Sequence, residues 1–162
     1  MAIAISARPE VKTTYTVTLN KDAALGRYNF SGNSNASVVL NLNGHTLTDP
    51  NNATANNVFT LRKDKGQDEN QNVSSLTVNG ADAQGNRGKI ITKNGKYFVF
   101  NNGLNSLKLS FNDIDIDYTH CNSTMIQSGI IYIYTGNLAL DNVHITYRKT
   151  DQIVNHGDQR TE

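Results

Sequence analysis

The sequence predicts an all-β, single-domain solenoid, a parallel β-helix of about four rungs. Three observations lead there. A β-rich segment recurs along the chain at a loose period of about 30 residues. Within each copy apolar and polar residues alternate with period 2, as on strands with one face buried, and no segment carries the helical period of 3.6. The large insertions fall at one place in the repeating unit, which a sandwich of hairpins gives no reason for.

The elements follow in order. "TYTVTLN" (Thr14 to Asn20) sets Tyr15, Val17 and Leu19 on one face of a strand and is expected to help cap the N-terminal end. "LNLNGHTLT" (Leu40 to Thr48) is the first copy, with Leu40, Leu42 and Leu47 on its apolar positions. "LTVNG" (Leu76 to Gly80) opens the second, which closes with "KIIT" (Lys89 to Thr92) after the insertion "ADAQGNRG". "LSFNDIDIDY" (Leu109 to Tyr118) and "LALDNVHITY" (Leu138 to Tyr147) are the third and fourth, and they align without a gap. A further short β-rich segment precedes each copy: "YNFSG" at Tyr28, "VFTLR" at Val58, "YFVFNN" at Tyr97 and "IIYIYTG" at Ile130. Asn and Gly sit where the chain must turn, since both tolerate left-handed backbone angles. Three short strands per turn fit a coil whose rungs stack about 4.8 Å apart. Leu40, Leu42, Leu109, Phe111, Ile116, Leu138, Leu140 and Ile145 are expected to form stacks along one core. Residues 1–26 read as a capping segment, 27–147 as the rungs, and 148–162 as a tail or the start of a further rung.

Composition narrows the function. The chain of 162 residues has 23 Asn, 18% charged residues and no Trp, with a mean hydropathy of −0.49. Net charge is +1 with the charges scattered, so no basic stripe suits nucleic acid. No apolar run approaches the ~20 residues that span a bilayer. The one cysteine, Cys121, excludes an internal disulfide and a multi-cysteine zinc site. "MAIAISARPE" lacks the basic and apolar regions of a secretion signal. Either the chain is not exported by that route or it belongs to a larger exported protein. The tail shows no cap for the last rung, so a fragment of a longer helix is expected, with uncapped end rungs available for self-association.

"VVLNLNGHTLT" (Val38 to Thr48) resembles the rung sequence of right-handed parallel β-helices of the pectin-lyase-like superfamily. The resemblance spans about residues 27 to 147. It implies a right-handed coil and a place among surface adhesins, autotransporter passengers, phage tailspikes and polysaccharide lyases, one scaffold serving several functions. The paired aspartates, Gly-His-Gly and Arg-Ile-Lys elements of the polygalacturonase-like hydrolases are missing. "NKD" (Asn20 to Asp22) is only a loose match to their Asn-Thr-Asp, and "NHG" (Asn155 to Gly157) falls in the tail.

The candidate sites are few. Asp113 sits at a turn, and Asp115 and Asp117 fall on the outer face of a strand. A calcium loop fails at its sixth position, Tyr118, and its twelfth, Thr124. Carboxylates on alternate strand residues also suit an inverting glycosidase, but any Asp-x-Asp on a strand would meet that spacing. His120 and Cys121 point to opposite faces of an extended chain and have no third group to orient the imidazole. His45 aligns with inward Ile114 and Val143, which suits a partly buried, hydrogen-bonded histidine. The four histidines share no zinc-ligand spacing, and no cofactor or metal is implied. In "GIIYIYTG" the alternation that turns Ile131 and Ile133 inward leaves Tyr132 and Tyr134 outside, where they can stack on sugar rings. The expected role is an extracellular structural or adhesive module, on a bacterial surface or a phage virion. It would present Tyr132, Tyr134, His144, Asp115 and Asp117 to a polysaccharide or cell-surface glycan. The alternative is a fragment of a β-helix lyase or hydrolase whose catalytic rungs lie outside this chain.

Overall fold

A computed structural model describes residues 11–24, 28–30, 36–48, 59–62, 75–92, 99–102, 108–119, 131–133 and 136–147. Among them there is no helix, and every strand pairing is parallel. A hairpin sandwich is antiparallel by construction, so these pairings exclude one. The parallel strands curl strongly around an axis and remain open.

The strands take part in a fixed cycle. β1 (Thr13–Thr18), β4 (Ala36–Asn41) and β7 (Ser75–Asn79) form one line of the larger sheet. β2 (Ala23–Ala24), β5 (Thr46–Thr48) and β8 (Gly88–Ile91) form a second line beside it. β10 (Lys108–Tyr118) and β12 (Asn137–Tyr147) are long enough to run through both lines, β10 pairing with β7 and β8 along its two halves. β3 (Tyr28–Phe30), β6 (Phe59–Arg62), β9 (Val99–Asn102) and β11 (Ile131–Ile133) make a separate four-stranded sheet. The four segments expected ahead of the copies are these four strands. β1 pairs with β4 along its whole length, and β2 and β3 follow it in the same cycle.

Register turns the alternation into stacks. Tyr15, Val38, Leu76, Leu109 and Leu138 form one inward column, and Val17, Leu40, Val78, Phe111 and Leu140 the next. Ala23, Leu47, Ile90, Ile116 and Ile145 form a third in the second line. The middle members are buried in one continuous core. At the last rung the burial ends, and Leu138, Leu140 and Tyr147 are 37%, 46% and 62% exposed.

The shared frame that sets Leu40 level with Leu109, each as the start of its copy, is corrected by this register. Leu40 shares its column with Phe111, and Val38 shares one with Leu109. The first copy therefore holds two more residues at its corner. A slip of one residue would turn every side chain to the wrong face, but a slip of two preserves the alternation. The pattern alone does not register it.

The corners are built from residues that accept left-handed backbone. Asn43, Asp113 and Asn142 have φ of 52°, 52° and 51°, and Gly44 follows Asn43 at 76°. Gly80 is needed for a different reason. A Cβ there would lie 2.0 Å from the carbonyl oxygen of Asp113, a backbone atom of the next rung. The same corners explain much of the asparagine excess. Asn41, Asn79 and Asn112 share one column, and each amide donates to the side chain one rung before it. Asn112 Nδ2 reaches Asn79 Oδ1 at 2.8 Å, Asn79 Nδ2 reaches Asn41 Oδ1 at 2.9 Å, and Asn41 Nδ2 reaches Thr18 Oγ1 at 3.2 Å.

Candidate functional site

The outward residues of the second strand line form one charged column. Thr46, Lys89, Asp115 and His144 succeed one another rung by rung. Beside them run Thr48, Ile91, Asp117 and Thr146. A strand alternates its side chains, so Ile114, Ile116 and Tyr118 go to the core and Asp115 and Asp117 face outward.

Neither carboxylate is simply a wet surface group. Asp115 Oδ1 accepts from Arg87 Nε at 2.8 Å and lies 3.3 Å from His144 Nδ1. Asp117 Oδ2 is 2.8 Å from Lys89 Nζ, while its Oδ1 accepts from the Thr119 hydroxyl at 2.6 Å and backbone N–H at 2.9 Å. The Asp117 side chain is only 13% exposed. Burial alone pushes its carboxyl up, but the hydrogen bonds from Lys89 and Thr119, with the charge of Lys89, outweigh that and hold it at about 2. A carboxyl so acidic stays ionised near neutral pH and has no proton to give as a general acid.

Arg87 ties the face together, although nothing in the sequence pattern singled it out. Besides Asp115 it donates through Nη2 to the Ile114 carbonyl at 2.8 Å and to the Asn142 carbonyl of the last rung. It is aimed by the insertion between β7 and β8. There Asp82 accepts from the backbone N–H groups of Gln84 and Asn86 at 2.9 and 2.8 Å and from Asn86 Nδ2 at 2.7 Å. Those bonds, the Asn86 side chain foremost, hold the Asp82 carboxyl below the usual carboxylate range. Arg87 stands directly before β8, and its long side chain reaches the neighbouring rungs.

Of the five expected ligand-binding residues, Asp115, Asp117 and His144 stand together here. Tyr132 has its backbone in β11 of the other sheet, opposite Phe100; its side chain and the whole of Tyr134 lie outside the described residues. His120, Cys121 and the tail lie outside them as well. His45 is half-buried, with its Nδ1 3.6 Å from Asp22 Oδ1, and Asp22 accepts from the Thr46 N–H at 2.8 Å. Among the described residues no group of three or more His, Cys, Asp or Glu could hold a metal ion, and no helix is long and apolar enough to cross a membrane. No family model matches the chain, and no curated protein or solved structure does either.

Proposed function

We propose that this chain is a right-handed parallel β-helix of the pectin-lyase-like kind, in a protein of a bacterial surface or a phage virion. Its role is structural or adhesive, and its outer face binds a glycan without cleaving it. The observation that supports this most is the column Lys89, Asp115 and His144, joined by Arg87 and Asp117. Main-chain register holds these polar groups one rung apart on a rigid sheet, so they are positioned before any ligand arrives. Carboxylate, imidazole and ammonium groups together offer the acceptors and donors that sugar hydroxyls need. Asp115, Asp117 and His144 form the polar part of the site, and the alternation of "IIYIYTG" adds Tyr132 and Tyr134 to it as the expected stacking residues. The acidity of Asp117 favours binding over acid catalysis.

A glycan array on the purified chain tests the reading. Affinities of about −4 to −8 kcal/mol, micromolar to millimolar, are expected for such individually weak contacts. Binding should fall in a Tyr132→Ala, Tyr134→Ala double variant and in His144→Ala. Unchanged binding in both variants would move the site elsewhere. Shortened oligosaccharide products would replace this reading with the lyase or hydrolase alternative, and no binding to any glycan would leave a plain stalk.

A further inference from the structure

The two ends of the larger sheet are chemically complementary. At one end β12 pairs only with β10 among the described residues, and its far edge carries Leu138 and Leu140 with large apolar area exposed. At the other end β1 pairs only with β4 among the described residues, and Tyr15 and Val17 sit half-covered on the same two columns. We propose that a second copy of this chain stacks its β1–β2 end on β12, so that the columns run on from one molecule into the next.

Three features of the register point to a second copy rather than to another occupant. The first is apolar. Continuing the columns sets Leu138 against Tyr15, Leu140 against Val17 and Ile145 against Ala23 of the second copy. The second is the amide ladder. Its column continues from Asn112 to Asp141, whose carboxylate side chain has no N–H to donate and accepts only. The next residue on that column in a second copy is Thr18, whose hydroxyl already accepts from Asn41 and has its own O–H to give. An acceptor at one end of the molecule therefore meets a donor at the other. The third is charge. His144, exposed at the top of the outer column, would meet exposed Asp22 of the second copy. No like charges oppose each other on these columns. The segment 148–162 is a poor substitute occupant. Its aliphatic residues are Ile153 and Val154, and neighbours on a strand face opposite sides, so one strand of it sets at most one of them inward.

The contact is heterologous, one end against the other, and therefore open-ended. Sedimentation of the purified chain over a concentration series reads it. The weight-average mass should climb past twice the 17.8 kDa of one chain, and Leu140→Lys, a change at a half-exposed position, should return it to a monomer. Orientation is read by cross-linking in a Cys121→Ser background. Thr18 and Asp141 are both exposed, so single Thr18→Cys and Asp141→Cys chains should fold. Mixed and oxidised, they should give the Thr18–Asp141 disulfide, because directly opposed residues on paired strands lie within disulfide reach. A monomeric mass at every concentration would overturn the proposal. So would disulfides formed only between two Asp141→Cys chains, which mean an end-on-same-end contact, or association indifferent to Leu140→Lys.

Discussion

Replacing Asn79 with Ala removes the middle of the amide ladder and measures what that ladder contributes. Asn79 makes two ladder bonds, donating to Asn41 at 2.9 Å and accepting from Asn112 at 2.8 Å, both partly shielded from water. A hydrogen bond of this kind contributes about 0.5–1.5 kcal/mol net, so losing two should cost about 1–3 kcal/mol. Strand propensity offers little offset, since Asn and Ala are both poor strand formers. The control is Thr18→Ala, which removes one longer, exposed bond at the end of the ladder and should cost about 0.5 kcal/mol. Urea unfolding followed by circular dichroism separates the two, provided the m-value is unchanged so that the midpoint shift reports stability. Asn79→Asp sharpens the test. The carboxylate keeps the bond from Asn112 but faces the Asn41 oxygen with no proton to donate, and should be at least as costly as Ala. If Asn79→Ala costs no more than Thr18→Ala, the ladder is a consequence of the fold and does not hold it together.

Acid should reveal the Lys89–Asp117 pair. The carboxyl is lowered from 3.8 to about 2, which at 1.36 kcal/mol per unit sets a ceiling of about 2.4 kcal/mol. Solvent around Lys89 reduces that to about 1–2 kcal/mol. Because the folded state is the more acidic, the contribution is present above about pH 4–5 and lost as pH falls through about 2. Stability of the wild type and Asp117→Asn, compared from pH 7 down to 2, should differ by a constant amount to about pH 5 and then converge; parallel curves throughout would reject the pair. Core stacking makes the other prediction: at dilutions where the chain is monomeric, Phe111→Ala should cost about 3–5 kcal/mol, while Leu140→Ala, on the same column but 46% exposed in the single chain, should cost a fraction of that. Equal thermal shifts for the two under those conditions would mean that the last rung is covered within the chain itself.

The sequence made the strand segments legible because burial on one face imposes period 2, and that period survives in "LSFNDIDIDY" however the turns vary. Register was less legible. Val38, Leu40 and Leu42 share one parity, so the true pairing of Leu40 with Val78 and Phe111 looks the same in the pattern as the pairing two residues away. The asparagine ladder was hidden for a related reason. Asn79 and Asn112 read individually as turn residues and Asn41 as a polar position between Leu40 and Leu42, and their mutual bonds exist only once rungs of unequal length are stacked. For the site, alternation put Asp115 and Asp117 outside correctly. It gave no warning that Asp117 is nearly covered, because the covering groups, Lys89 and Thr119, come from a different rung and from beyond the strand end. Arg87 was invisible for the plainest reason, since a seven-atom side chain reaching across two rungs obeys no local period.

Among the described residues each rung pairs only with the rungs immediately before and after it, β1 with β4, β4 with β7, β7 with β10 and β10 with β12. Stability is then a running sum of neighbour terms along a line. Interior rungs are held from both sides and terminal rungs from one, so thermal opening works inward from the ends like an unfastening zip. A defect at a single interface divides the line into two stretches that melt separately. The converse concerns inheritance. Duplicating one rung with its own corner adds one more interface and disturbs none of the others, so genes for such chains can lengthen or shorten in whole units while the fold stays the same.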